Sequence, residues 1–295
     1  MATIITDLKE NFRRGNIYIQ LIYINVAVFI LTTLTEVMFQ LFNRSIAGVF
    51  EWLELPASVL RFILQPWSLL TYMFMHAGFM HILFNMLWLY WFGALFLSFF
   101  SAKHLRGVYI LGGICGGLLY MAAYNIFPYF RPMTDYSFML GASASVLAIV
   151  AATAYREPNY PIRLLFGTIR LKYLALIVIG TDLLFITSSN AGGHIAHLGG
   201  ALAGVWFAAS LSKGSDLTSW INKCLDTLVS IVSFKPRKPK MKVHYGTGKQ
   251  KDYDYNARKK AQSDEIDRIL DKLKKSGYES LTTEEKKSLF DASKR

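Results

Sequence analysis

Two things are scarce in this chain, and each scarcity narrows the reading. Only two cysteines occur in 295 residues, Cys115 inside an apolar run and Cys224 near the C-terminal end, so no disulfide framework is implied and no thiolate set is offered to a metal. Charge is also thin: 18% of residues are charged and 53% are hydrophobic, whereas a soluble domain carries nearer a quarter charged. The shortage is local. From about Ile17 to Ser212 charges are few, while residues 213–295 hold 20 basic against 12 acidic residues, +8 of the net +12. The basic excess is therefore a property of the tail. No nucleic-acid reader motif accompanies it, and beside a membrane segment it reads as a cytoplasmic face near anionic lipid.

What is there instead is a series of apolar runs. A helix needs about 20 mainly apolar residues to cross the hydrocarbon core. Six segments approach that length: Tyr18–Phe39, Phe79–Phe100, Leu105–Phe127, Met139–Ala154, Lys172–Thr187 and His194–Leu211. The polar stretch ahead of the first is too long for a cleavable signal. Lys and Arg collect in alternate connections: Lys9, Arg13 and Arg14, then Lys103 and Arg106, then Arg156, Arg163, Arg170 and Lys172, then the tail. The bias puts both termini on the cytoplasmic side of the cell (inner) membrane, so spans two, four and six run inward from the external face. The first external loop, residues 40–78, holds apolar pieces too short to span and reads as an interfacial hairpin with Trp52 and Trp67 at headgroup level.

The expected organisation is a cytoplasmic N-terminus at 1–16, a membrane domain at 17–212, a basic linker without a core at 213–261 and a helical hairpin at 262–295. In the last of these, Ile266, Ile269, Leu270 and Leu273 recur at helical spacing, Gly277 stops the helix, and Thr282 with Glu285 forms a capping box for the next. The fold class is an all-α membrane protein, a six-helix bundle with a soluble helical tail.

Polar side chains inside spans are costly and mark function. Here they cluster. Span two opens with His76, His81 and Asn85, span four with Gly141 and Ser143, span six with His194 and His197, all at the external ends. Three helix N-termini, with their unpaired N–H groups and partial positive charge, thus meet a serine and histidines at one depth. Those are the parts required for acyl transfer.

The pattern resembles the rhomboid intramembrane serine proteases: HxxxxHxxxN at His76, His81 and Asn85, GxSx at Gly141, Ser143 and Ala144, and AHxxGxxxG at Ala196, His197, Gly200 and Gly204. The resemblance implies a dyad of Ser143 as nucleophile and His197 as general base and later acid, with Asn85 and His81 beside the Ser143 N–H as oxyanion hole. It implies transmembrane proteins of the bilayer as substrates and the first loop or span five as a lateral gate. No cofactor is expected. In this family no carboxylate orients the histidine, so Asp182 in span five is assigned a capping or water-facing role. Gly200 and Gly204 form a GxxxG pair that lets spans four and six approach, with Gly141 and the neighbouring alanines serving the same closeness. Two positions depart from the family pattern. Ser68 follows Trp67 where an arginine is common, and Leu147 stands where a tyrosine stacks on the histidine in some members. His197 is therefore expected to rely on apolar contact.

Blander readings hold for the neighbours. Ser145 is a packing residue, His76 fixes a loop, and His194, three residues before His197, is not the base. A metal site at these histidines lacks thiolates and a suitably placed carboxylate. An inactive client-binding relative would lack the serine or the histidine, and a transporter would place its charges at the membrane midplane rather than at one end.

Overall fold

Six apolar helices make up the membrane unit of the computed structural model, which describes residues 12, 15–164, 167–232 and 248–293. They are α1 (Ile17–Leu41), α2 (Phe79–Phe96), α3 (Ala102–Ile126), α4 (Ser143–Arg156), α5 (Leu171–Leu184) and α6 (Ala191–Ser212). Four of them, α1, α2, α3 and α6, are long and apolar enough to cross a membrane. Helices α4 and α5 have 14 residues each, a rise of about 21 Å. The expected N-terminal segment 1–16 lies mostly outside the described residues.

A soluble protein rarely exposes large contiguous apolar surface. This one exposes Ile30, Leu31 and Leu34 on α1, Phe84 and Trp91 on α2, and Leu176 and Ile177 on α5, an outward face suited to lipid tails. Inward, α3 and α6 are the most buried of the long helices and α1 the least. Helix α4 is enclosed almost entirely, Ala144 to Ala154 all being buried.

Small residues explain how α4 can be so enclosed. A side chain on Gly200 would run into the carbonyl of Ala144, and one on Gly204 into the carbonyl of Ala148. A Cβ on Gly199 would come within 2.7 Å of the Cys115 carbonyl oxygen, and one on Gly116 equally close to that of Ala196. Helices α3, α4 and α6 therefore touch backbone to backbone, as GxxxG packing expects. Gly141 is different: it precedes α4 at φ +129°, a conformation suited to glycine, and is a turn residue rather than a helix-packing one. Buried Asn25 on α1 donates to Tyr109 Oη on α3 at 3.2 Å, and that hydroxyl donates to the Met73 carbonyl at 3.1 Å.

The loop between α1 and α2 is held by side chains. Trp67 Nε1 donates to the Trp52 carbonyl at 2.7 Å and the two indoles stack at 6.0 Å. Gln65 donates to the carbonyls of Glu51 and Glu54, and Thr71 to that of Leu53. The residues before α4 are extended rather than helical: β1 (Leu55–Pro56) pairs antiparallel with β2 (Phe138–Met139). Between α4 and α5, β3 (Pro161–Leu164) and β4 (Gly167–Arg170) form a hairpin.

The expected linker is largely helical where it is described. Helix α7 (Ser219–Val232) docks on the end of α3: Arg106 donates to Asn222 Oδ1 at 2.9 Å and to Asp226 Oδ1 at 2.8 Å, and Asn222 Nδ2 donates to the Lys103 carbonyl. Ile221, Leu225, Leu228 and Val232 recur along it at helical spacing, a pattern that the basic, proline-bearing stretch after it masks when the segment is read by composition. Residues 233–247 of that segment lie outside the described residues.

The C-terminal unit contains α8 (Gly248–Ser276) and α9 (Thr283–Ser293). Helix α8 begins before the expected start at 262, because its first turns are polar and carry no apolar period. The hairpin and its capping box are otherwise as expected. Thr282 N donates to Glu285 Oε2 at 2.8 Å, Glu285 N donates to Thr282 Oγ1, and Gly277 turns the chain at φ +74°. Lys272 bonds the Glu285 carboxylate at 2.8 Å and holds it below the usual carboxylate range.

Two outcomes follow. Gly200→Val should lower the thermal midpoint of detergent-solubilised protein by several degrees or prevent folding, since overpacking against backbone costs about 1–3 kcal/mol or more. An unchanged midpoint with full activity would contradict the close approach. In the first loop, burial and then Glu51 push the Glu54 carboxyl from 4.5 up to about 7. The charged form is disfavoured in the folded state, so stability should be highest below the unfolded value and decline as pH rises through this window. Unfolding scans from pH 4 to 8 on wild type and Glu54→Gln should show a slope that the variant loses.

Candidate active site

Ser143 is the first residue of α4, so the backbone N–H groups of that first turn have no partner within the helix. The turn ahead of it is fixed by Gly141, whose N–H donates to the Tyr72 carbonyl at 2.9 Å. The Tyr72 hydroxyl in turn donates to the carbonyl of Gly113 on α3 at 2.6 Å. The point where Gly141 would carry a Cβ lies 2.9 Å from His81 Nε2 and 3.7 Å from Ser143 Oγ. Any side chain there would strike the imidazole, so glycine is needed for both space and conformation.

A cavity of about 430 Å³ opens at this place, lined by His81 and Asn85 of α2, Ser143 and Leu147 of α4, and Asn190 and His197 at the start of α6. All four expected chemical residues share this cavity. Asn85 donates one amide hydrogen to the His81 carbonyl at 2.9 Å, which leaves its second for a ligand. His76 lies edge-on to His81 with ring centres 5.1 Å apart. Ser145 is buried and its backbone faces Gly112 of α3, in keeping with a packing role.

Asp182 departs from its expected role. It is buried, and its Oδ1 lies 2.9 Å from His197 Nδ1 and 2.8 Å from His194 Nδ1. It neither caps its helix nor faces water, and His197 does not rest on apolar contact alone. The sequence held one signal for this, a single carboxylate within an otherwise apolar span, but not its partners on the next helix. The same geometry supplies the carboxylate thought missing from a metal set: ligand atoms of Asp182, His194 and His197 lie within 4.8 Å of one another. The two nitrogen–oxygen separations nonetheless match N–H···O bonds. Ligand atoms about 2.0–2.1 Å from a tetrahedral zinc would stand roughly 3.3 Å apart.

The sequence is similar to known proteins. Residues 64–214 match the Rhomboid domain family, and residues 249–295 match a family of unknown function, DUF6576. The chain is 30% identical over 157 residues to the mitochondrial RHOMBOID-like protein 12 of Arabidopsis thaliana, covering 50% of this chain and 47% of the relative. It is 24% identical over 197 residues to Rhomboid protease GlpG of Yersinia pseudotuberculosis, covering 66% of this chain and 62% of that one. The chain thus spans about half to three fifths of the length of these curated relatives. With a domain match over half its residues and an all-α bundle of apolar helices, the chain is a multi-pass integral membrane protein that belongs to the rhomboid family.

Proposed function

We propose that this protein is an intramembrane serine endopeptidase that cleaves transmembrane segments of other membrane proteins near the external face, with Ser143 as nucleophile and His197 as base. The observation that carries the reading is the shared cavity: a serine at a helix N-terminus, a histidine from a second helix and an amide from a third line one space. The shortness of α4 supports it. A helix rising about 21 Å in a hydrocarbon layer of about 30 Å can begin below the surface, so its first residue is within lipid depth yet reached by water from a cavity above. The basic loops support an orientation with both termini cytoplasmic.

In the chemistry, Ser143 Oγ attacks the substrate carbonyl while His197 takes its proton. The oxyanion is received by the Ser143 N–H, the free amide hydrogen of Asn85, and His81. His197 returns the proton to the leaving amine, and water releases the acyl group by the same steps reversed.

Purified protein with a model transmembrane substrate tests this. Ser143→Ala and His197→Ala should each abolish detectable cleavage, and Asn85→Ala should lower kcat by about 10²–10³. Cleavage by the Ser143 variant at the wild-type rate would sink the reading. Removal of residues 235–295 should leave cleavage of this artificial substrate intact, because every cavity residue lies within 80–197.

A further inference from the structure

Asp182 occupies the place that the family resemblance leaves vacant. It sits on α5, and the two imidazoles it meets are three residues apart on α6, on one face of that helix. An ionised carboxylate only accepts hydrogen bonds. His197 Nδ1, 2.9 Å from Asp182 Oδ1, must then carry the hydrogen, and in a neutral ring Nε2 is bare. A bare Nε2 is the form a general base needs, and His197 lines the cavity that holds Ser143.

We propose that Asp182 is a positioning residue that holds His197 in its Nδ1–H tautomer and orientation, making a three-membered arrangement of Asp182, His197 and Ser143. This rests on the reading of Ser143 and His197 as nucleophile and base. The atoms balance simply. As Oγ bonds to the carbonyl carbon, its proton passes to Nε2, and the imidazolium keeps its Nδ1–H on Asp182. As the carbon–nitrogen bond breaks, Nε2 gives that proton to the departing amine. Asp182 exchanges no proton; its charge offsets the imidazolium.

His194 has a defined part. It is absent from the cavity lining and donates to the same Oδ1 at 2.8 Å, so the carboxylate is pinned by two donors one turn apart. Asp182 Oδ2 is buried without a hydrogen-bond partner among the described residues, so the charge rests on the Oδ1 bonds. Bonds to a buried charge in a low-dielectric site are stronger than in water, which suits them to fix a ring that Leu147 cannot stack upon.

The test uses the full chain in detergent, a model transmembrane substrate and a fluorophosphonate that labels an activated serine. Asp182→Asn should lower kcat by about 10²–10⁴ with KM nearly unchanged, and should slow labelling in parallel. Asp182→Glu should restore part of the loss, and His194→Gln should cost about tenfold or less. Wild-type kcat and labelling in Asp182→Asn, beside an inactive Ser143→Ala, would overturn the positioning role and leave the protease reading standing; an active Ser143→Ala would overturn both. Should the Asp182 variants not fold, nitrogen NMR of the wild-type histidines decides: hydrogen on Nδ1 of His197 is expected, and hydrogen on Nε2 alone overturns the proposal. Activity removed by a chelator and restored by Zn²⁺ would likewise overturn it, in favour of a cation at the three groups.

Discussion

Backbone contact between α4 and α6 is the constraint on which the rest of the site depends. Each glycine of the Gly200–Gly204 pair faces a carbonyl of α4, and Gly199 and Gly116 repeat the arrangement between α6 and α3. In lipid there is little hydrophobic drive to bring helices together, so dispersion at such short range supplies the adhesion. The same closeness sets the candidate site. Ser143 and His197 belong to different helices, and only helices at glycine distance leave their side chains in one small cavity.

Around this contact the polar groups are disposed by helix ends. Ser143 begins α4, His197 lies in the second turn of α6, and His81 lies near the start of α2. Helix N-termini bring unpaired N–H groups without burying a charged side chain, which suits a site in a poorly solvated place. Asp182 is the exception, a buried carboxylate, and both imidazoles that reach it meet the same oxygen.

Much of this was legible in the sequence, and the reasons differ by element. Apolar length and basic loops marked the helices, because lipid imposes a composition that water does not. The triple pattern of His81 with Asn85, Ser143, and His197 with Gly200 marked a candidate site, and His81, Asn85, Ser143 and His197 line one cavity. What escaped was tertiary. Asp182 reads as an isolated acid at a span end until α6 is laid beside α5, and Asn25 has no meaning without Tyr109. The docked helix α7 escaped for the same reason, since Arg106 and Asn222 are 116 residues apart. The start of α4 was placed four residues early because Met139 is apolar and a two-residue strand has no periodicity to detect.

That two-residue strand has a consequence for movement. Lipid cannot satisfy free peptide groups, so irregular chain at membrane depth survives only where protein answers each donor and acceptor. The segment from Ser137 to Gly141 is such chain, and its answers come from the first loop: Ala57 N–H to the Ser137 carbonyl, the Leu55–Met139 pair, and Gly141 N–H to the Tyr72 carbonyl. The loop is thereby hemmed to the turn that carries Ser143, as a seam rather than a lid. Lifting it would strip peptide bonds of their partners beside the serine, and α5, though it buries only Leu171, Ala175 and Asp182, is itself tied to α6 through the bonds of Asp182 to His194 and His197.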